Sequence, residues 1–115
     1  MYNKQLQQHI KLYSEELQSI LDPRADAHQK LVQKGMILFR QQLVHNVTFS
    51  NEKVEAKVRD VSPVVVELYF KNIAEGSCSC PIEGICKHKI ALFFTVLNKM
   101  ESIFTWIQEW KTAGK

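Results

Sequence analysis

An α+β fold is predicted for this chain, with N-terminal helices, a small antiparallel β-meander and a cysteine-rich turn leading into a C-terminal helix. Two switches of hydrophobic period carry that prediction. Apolar residues recur every three to four positions in the N-terminal part, every second position from Leu43 to Lys71, and every three to four again after Cys86. The third observation is size: 115 residues, 45% of them hydrophobic, suffice for one domain with a buried core.

The first helix is expected from about Asn3 to Leu21, because Leu6, Ile10, Tyr13, Leu17 and Ile20 fall on one stripe. The spacing is close to heptad, so a dimer seam competes with packing on a sheet. Fewer than three full heptads favours packing. Asp22-Pro23 reads as a stop and a fresh start, with Asp22 as N-cap and Pro23 at the first helical position. A second helix then carries Ala27, Leu31 and Val32 inward and ends near Gly35.

Next come three strands. Val44, Val47, Thr48, Val54, Val58, Val64, Val65 and Val66 make the segment dense in β-branched residues. Ser50-Asn51-Glu52 and Asp60 to Pro63 supply the turns. Val54, Ala56 and Val58 alternate with Glu55, Lys57 and Arg59, as in a half-buried strand. Gly76 ends the third strand. After Cys86, the residues Ile90, Phe93, Phe94, Leu97, Met100, Ile103, Phe104 and Ile107 trace a wide apolar face, with a break expected at Asn98. Trp106 and Trp110 read as core, with contact to a partner as the alternative. The divisions expected are a helical lead-in over 1–35, a core over 36–99 and a helical extension over 100–115, all in one domain.

Composition excludes several classes. Aromatic residues at 10% and charged residues at 23% are an ordinary globular balance rather than that of a disordered chain. A net charge of +3 is only mildly basic. The apolar stretches fall short of a membrane span, and the N-terminus lacks an apolar signal core, so a cytoplasmic, membrane-free protein is expected. The three cysteines are an odd number, which suits no disulfide scaffold.

All three cysteines and one of four histidines lie in Cys78-Ser-Cys80-Pro-Ile-Glu-Gly-Ile-Cys86-Lys-His88. A Cys78–Cys80 bridge would span Cα atoms near the upper limit of reach, and any pairing strands a third thiol. A metal uses all four residues, since thiolates and a neutral imidazole suit tetrahedral zinc. Cys-x-Cys at a strand end points both sulfurs one way. Residues two apart on a helix differ by about 200°, so Cys86 must precede the helix, with His88 in its first turn. There the positive helix end helps hold Cys86 as thiolate. The competing reading is three buried cysteines and a capped histidine.

Cys-x-Cys, a short gap and Cys-x-His resemble the SWIM-type zinc finger, as do the valine-rich meander, the Cys-Ser-Cys-Pro opening and Cys-Lys-His-Lys-Ile-Ala. The resemblance spans roughly Gly35 to Lys99. It implies that Cys78, Cys80, Cys86 and His88 bind one zinc ion. SWIM domains occur in bacterial proteins associated with Swi/Snf-type ATPases, in plant Mutator-like transposases and in some eukaryotic kinases and ubiquitin ligases. DNA binding and protein–protein interaction are their proposed roles, so DNA or a partner such as a Swi/Snf-type ATPase is implied. The CDGSH-type iron–sulfur motif fits worse, because its histidine follows the last cysteine by four positions after Asp-Gly-Ser, whereas Lys87 alone fills the gap here. Four protein ligands close the metal to catalysis, and Glu83 is the only acid in the loop, so no enzymatic role is expected.

Lys87 and Lys89 flank His88, while Lys57 and Arg59 lie on the exposed side of a strand, with Lys53 beside them and Lys71 on the next strand. If these share a face they could contact phosphates without reading sequence; scattered solubilising charge is the plainer reading. Three thiolates and one divalent ion add one negative charge, bringing +3 to about +2. A non-enzymatic zinc-binding module for DNA or protein is therefore the first expectation. A targeting domain of a longer enzyme and a redox sensor that ejects zinc on thiol oxidation are the alternatives.

Overall fold

The computed structural model describes residues 4–50, 52–69, 77–79, 86–98 and 103–113. Their order is α1 (Lys4–Ile20), α2 (Asp26–Arg40), β1 (Val44–Phe49), β2 (Lys53–Arg59), β3 (Pro63–Tyr69), β4 (Ser77–Cys78), α3 (Lys87–Leu97) and α4 (Ile103–Ala113). The α+β class and the switches of period hold. The sheet carries one strand more than the three expected, and its four strands run β1-β2-β3-β4, each antiparallel to the next. Gly76, Lys71, Lys99 and Met100 lie outside the described residues.

The register sorts the sheet into two faces. Val54 pairs with Leu68, Ala56 with Val66 and Val58 with Val64, and all six are buried. The opposite face carries Lys53, Glu55, Lys57 and Arg59 of β2 with Val65 and Glu67 of β3. β1 bends at a bulge between His45 and Thr48, where Asn46 takes φ 56°, a left-handed conformation that asparagine tolerates.

Helix α3 lies on the buried face of the sheet and is covered on its other side by helices. From His88 to Leu97 every residue except Thr95 is buried, the pattern of a helix enclosed all round. Tyr13 of α1 meets Phe93 at 5.6 Å between ring centroids, and Trp106 of α4 meets Phe93 and Phe94 edge-on at 5.6 and 5.5 Å. Trp106 and Trp110 are core residues, and the Trp110 indole donates to the Leu21 carbonyl at 3.0 Å.

Four local expectations need correction. The α1 stripe packs on α3 and α4, not on the sheet, and Leu21 replaces Ile20 in the interior. Phe104 is 69% exposed, because the break after Leu97 resets helical phase and α4 turns Ile103, Trp106 and Trp110 inward. Asp22 does not cap α2. Its carboxylate accepts from the Arg24 amide at 2.9 Å in an Asx turn, and Ala25 is the N-cap. Finally, α2 runs past Gly35 to Arg40, so the 35/36 boundary falls inside a helix.

The last correction has a clear cause. The end of α2 is a Schellman motif, with Leu43 N–H bonded to Leu38 carbonyl and Gln42 N–H to Phe39 carbonyl. The left-handed residue at φ 58° is Gln42, where glycine would ordinarily advertise the stop. Gly35 instead faces α3. A Cβ there would lie 2.5 Å from Ile90 Cγ2 and 3.2 Å from the Lys87 carbonyl oxygen. Its missing side chain lets α2 and α3 approach closely.

Candidate metal centre

β4 and the start of α3 bring cysteine and histidine side chains to one point. Cys78 pairs with Val66, a residue of the buried sheet face, so strand register aims Cys78 toward α3. Beside that pair Ser79 ties β4 to β3, its amide donating to the Val65 carbonyl and its hydroxyl accepting from the Val65 amide, both at 3.0 Å. Cys86 is the N-cap of α3 in extended conformation, φ −118° and ψ 169°, and its carbonyl accepts from the Ile90 amide at 3.1 Å. His88 follows in the first turn. This is the placement that helical geometry required of a Cys-x-His pair.

The three ligand atoms lie within 4.8 Å of one another. His88 Nδ1 is 3.5 Å from Cys78 Sγ and 3.9 Å from Cys86 Sγ. Across a tetrahedral zinc with bonds of about 2.3 Å to sulfur and 2.0–2.1 Å to nitrogen, that separation comes to about 3.6 Å. The donor set and its spacing therefore fit one zinc ion. Cys80 lies outside the described residues, as do Pro81, Glu83 and Gly84. Cys86 and His88 are buried and Cys78 is half-buried.

Asp60, in the turn between β2 and β3, joins the candidate site although motif spacing did not disclose it. Its Oδ2 accepts from His88 Nε2 at 2.8 Å and from Lys87 Nζ at 3.0 Å, while Oδ1 accepts from the Val61 amide at 2.9 Å. The His88 and Lys87 hydrogen bonds, then that of Val61, hold the Asp60 carboxyl down to about 2, from 3.8. A carboxylate in that state only accepts. The Nε2 atom of His88 is thus the donor toward Asp60, which leaves Nδ1 on the side of the sulfurs as the ring's ligand atom. Such a carboxylate–histidine pair orients the ring and raises its basicity toward a metal. The only sequence signal was an acid in a turn, 28 positions before the histidine. The Asp60→Asn variant is expected to stay folded and bind zinc about 10–100-fold more weakly in a chelator competition. Unchanged affinity would remove Asp60 from the site.

The four basic residues singled out from the sequence do not act alike. Lys89 is 4% exposed, so as folded it presents no charge to a phosphate; its place in α3 puts it inside the helical layer. Lys87 is tied to Asp60. Lys57 and Arg59 are exposed on the outer face of β2, and Arg59 meets Lys87, Lys34 and Asp60 around a shallow cleft of about 460 Å³. Nearby on that face, Lys53 is committed to Glu67 at 2.8 Å. No helix among the described residues is long and apolar enough to cross a membrane.

Comparison with known proteins agrees with this geometry. The uncharacterized protein YwqB of Bacillus subtilis (strain 168) is 36% identical over 103 residues, which cover 89% of this chain and 19% of that protein. The chain thus spans about a fifth of the length of the curated relative it matches. No solved structure matches significantly. The SWIM zinc finger family model matches residues 64–97, a span that runs from β3 to the end of α3 and contains both ends of the cluster. SWIM zinc fingers bind zinc and are in general non-catalytic binding modules, and residues 64–97 of this chain are similar to one.

Proposed function

We propose that Cys78, Cys80, Cys86 and His88 hold one structural zinc ion, and that the clamped domain is a non-enzymatic module that docks a protein partner. The observation that carries this reading is the convergence of Cys78 from the sheet and Cys86 and His88 from α3, with the free ring nitrogen of the histidine held by Asp60. Bound there, zinc would neutralise the thiolates and tie the sheet to its central helix. The burial of Cys86 and His88 suits a structural ion more than an oxidation sensor, whose thiols need access.

A protein partner is favoured over DNA because three of the basic residues on or near the metal cluster and the outer sheet face are already committed within the domain. Lys89 is buried, Lys87 pairs with Asp60 and Lys53 pairs with Glu67. The exposed pair Lys57 and Arg59, with Lys87 near Arg59, supports DNA as the second reading. A Swi/Snf-type ATPase as the partner rests on family resemblance alone.

Zinc content and duplex binding measured on one sample test both halves. The expected result is one zinc per chain, identified by anomalous scattering, and no retention of a 20-base-pair duplex. If Lys57, Arg59 and Lys87 instead neutralise three phosphates, affinity should fall roughly fortyfold between 50 and 200 mM salt. Binding of that kind, abolished in Lys57→Glu/Arg59→Glu, would replace the protein reading with the DNA reading.

A further inference from the structure

Helix α2 leaves one large apolar side chain, Ile37, outside the core, next to Met36 at the core's edge. Val32, Gly35 and Leu38 are its buried residues, but Ile37 is 52% exposed and Met36 half-buried beside it. Opposite them stand Ile107 and Trp110 of α4. Between the two helices runs an open groove of about 680 Å³, floored by Val32 and Trp110 and walled by Met36, Ile37 and Ile107. Along α2 it extends from Gln29 to Arg40, a distance of about 16 Å, or three helical turns.

The charge on its rim has one sign. Arg24, Arg40 and Lys111 are the charged residues lining the groove, with no acid among them. Arg24 has a partner in Asp22 at 3.3 Å. Arg40 sits in the last turn of α2, whereas Lys111 follows Trp110, whose indole bonds the Leu21 carbonyl just before α2, so the two cations stand toward the two ends of the groove. An elongated apolar trough bordered by cations complements an elongated apolar ligand bordered by anions. Its length matches apolar side chains at positions i, i+3, i+4 and i+7 of a helix laid in the groove. A duplex, whose outer surface is phosphate, has nothing to place on the apolar floor.

We propose that the α2–α4 groove docks an amphipathic helix of a protein partner, apolar along one face and acidic at its flanks. The proposal deepens the protein-docking reading and rests on it, but it uses no residue of the metal cluster. Arg40 and Lys111 select the partner by charge, and Ile37 with Trp110 supplies the apolar contact.

The test uses the zinc-loaded 115-residue chain and three labelled 18-residue peptides: a leucine-striped helix flanked by glutamate, the same helix flanked by lysine, and polyglutamate. Fluorescence anisotropy is expected to show the acidic amphipathic helix binding at least about tenfold tighter than the other two. Ile37→Glu, at an exposed position, should abolish that binding with the circular dichroism unchanged. Arg40→Glu/Lys111→Glu should reverse the preference toward the lysine-flanked helix. Equal binding of polyglutamate, or binding that survives Ile37→Glu, would reduce the groove to a charged patch and overturn the proposal. So would no binding by a sample with full zinc content. Duplex retention lost in Lys57→Glu, on the outer sheet face away from the groove, with no peptide bound, would instead mark failure of the protein-docking reading, and absent zinc would mark failure of the metal assignment.

Discussion

Stripping the metal with a strong chelator is expected to unfold the domain, and at the least the segment from Gly76 to Leu97. Structural zinc contributes about 10–16 kcal/mol of binding free energy in zinc-finger peptides near neutral pH. A whole domain of this size is stable by about 5–15 kcal/mol. The two are comparable, so loss of the ion removes as much as the fold has to spare. The location of the cluster makes the loss spread. Cys86 and His88 lie at the start of α3, and α3 is the helix on which the sheet, α1, α2 and α4 all close. Without the ion, buried thiolates must take up protons or reach water, and the start of α3 must move to let them. The measurement is thermal unfolding by circular dichroism with metal content assayed in parallel. A drop in Tm well beyond 10 °C, or loss of a cooperative transition, is expected, with recovery on adding zinc. Cys86→Ser and His88→Ala should act in the same direction. An unchanged Tm with metal loss confirmed would refute a structural role.

Replacing Gly35 by alanine should destabilise the domain, although the substitution favours helix. In an exposed helix the change gains about 1 kcal/mol. Here the new methyl would meet Ile90 Cγ2 at 2.5 Å and Ile90 Cβ at 2.8 Å. Cβ cannot swing away, because its position follows from the α3 backbone, and Cγ2 could move only by a χ1 rotation of a side chain enclosed in the core. The helices must separate, which typically costs about 1–3 kcal/mol beyond the propensity gain. Separation also displaces Lys87, whose carbonyl lies 3.2 Å from the added atom and whose neighbours Cys86 and His88 belong to the cluster. The Gly35→Ala variant is therefore expected to lose about 5–15 °C in Tm and to bind zinc more weakly. A rise in Tm would show that the α2–α3 contact adapts freely.

Hydrophobic period made the elements legible, and it failed where a side chain's role depends on what it meets. Val54, Ala56 and Val58 alternate inward as their spacing says, since in a strand direction follows from position alone. Ile20 and Phe104 have suitable spacing and face solvent, because their orientation depends on where α1 and α4 lean against α3. Gly35 looked like a helix end because glycine usually marks one. Gln42 takes that conformation instead, held by its own amide bonded to the Phe39 carbonyl and the Leu43 amide bonded to the Leu38 carbonyl.

The sequence by itself determined the α+β class and the Cys-x-His placement at the start of a helix. Both follow from local geometry, the period of the backbone and the angle between neighbouring side chains. Only the tertiary structure decided the rest of the site. Asp60 reaches His88 across 28 positions because the antiparallel sheet carries the β2–β3 turn to the start of α3. Lys89, beside a ligand in sequence, is buried by packing. The groove between α2 and α4 brings Ile37 and Trp110, seventy-three positions apart, to one trough. Long-range closure brings such partners together, and no spacing along the chain records it.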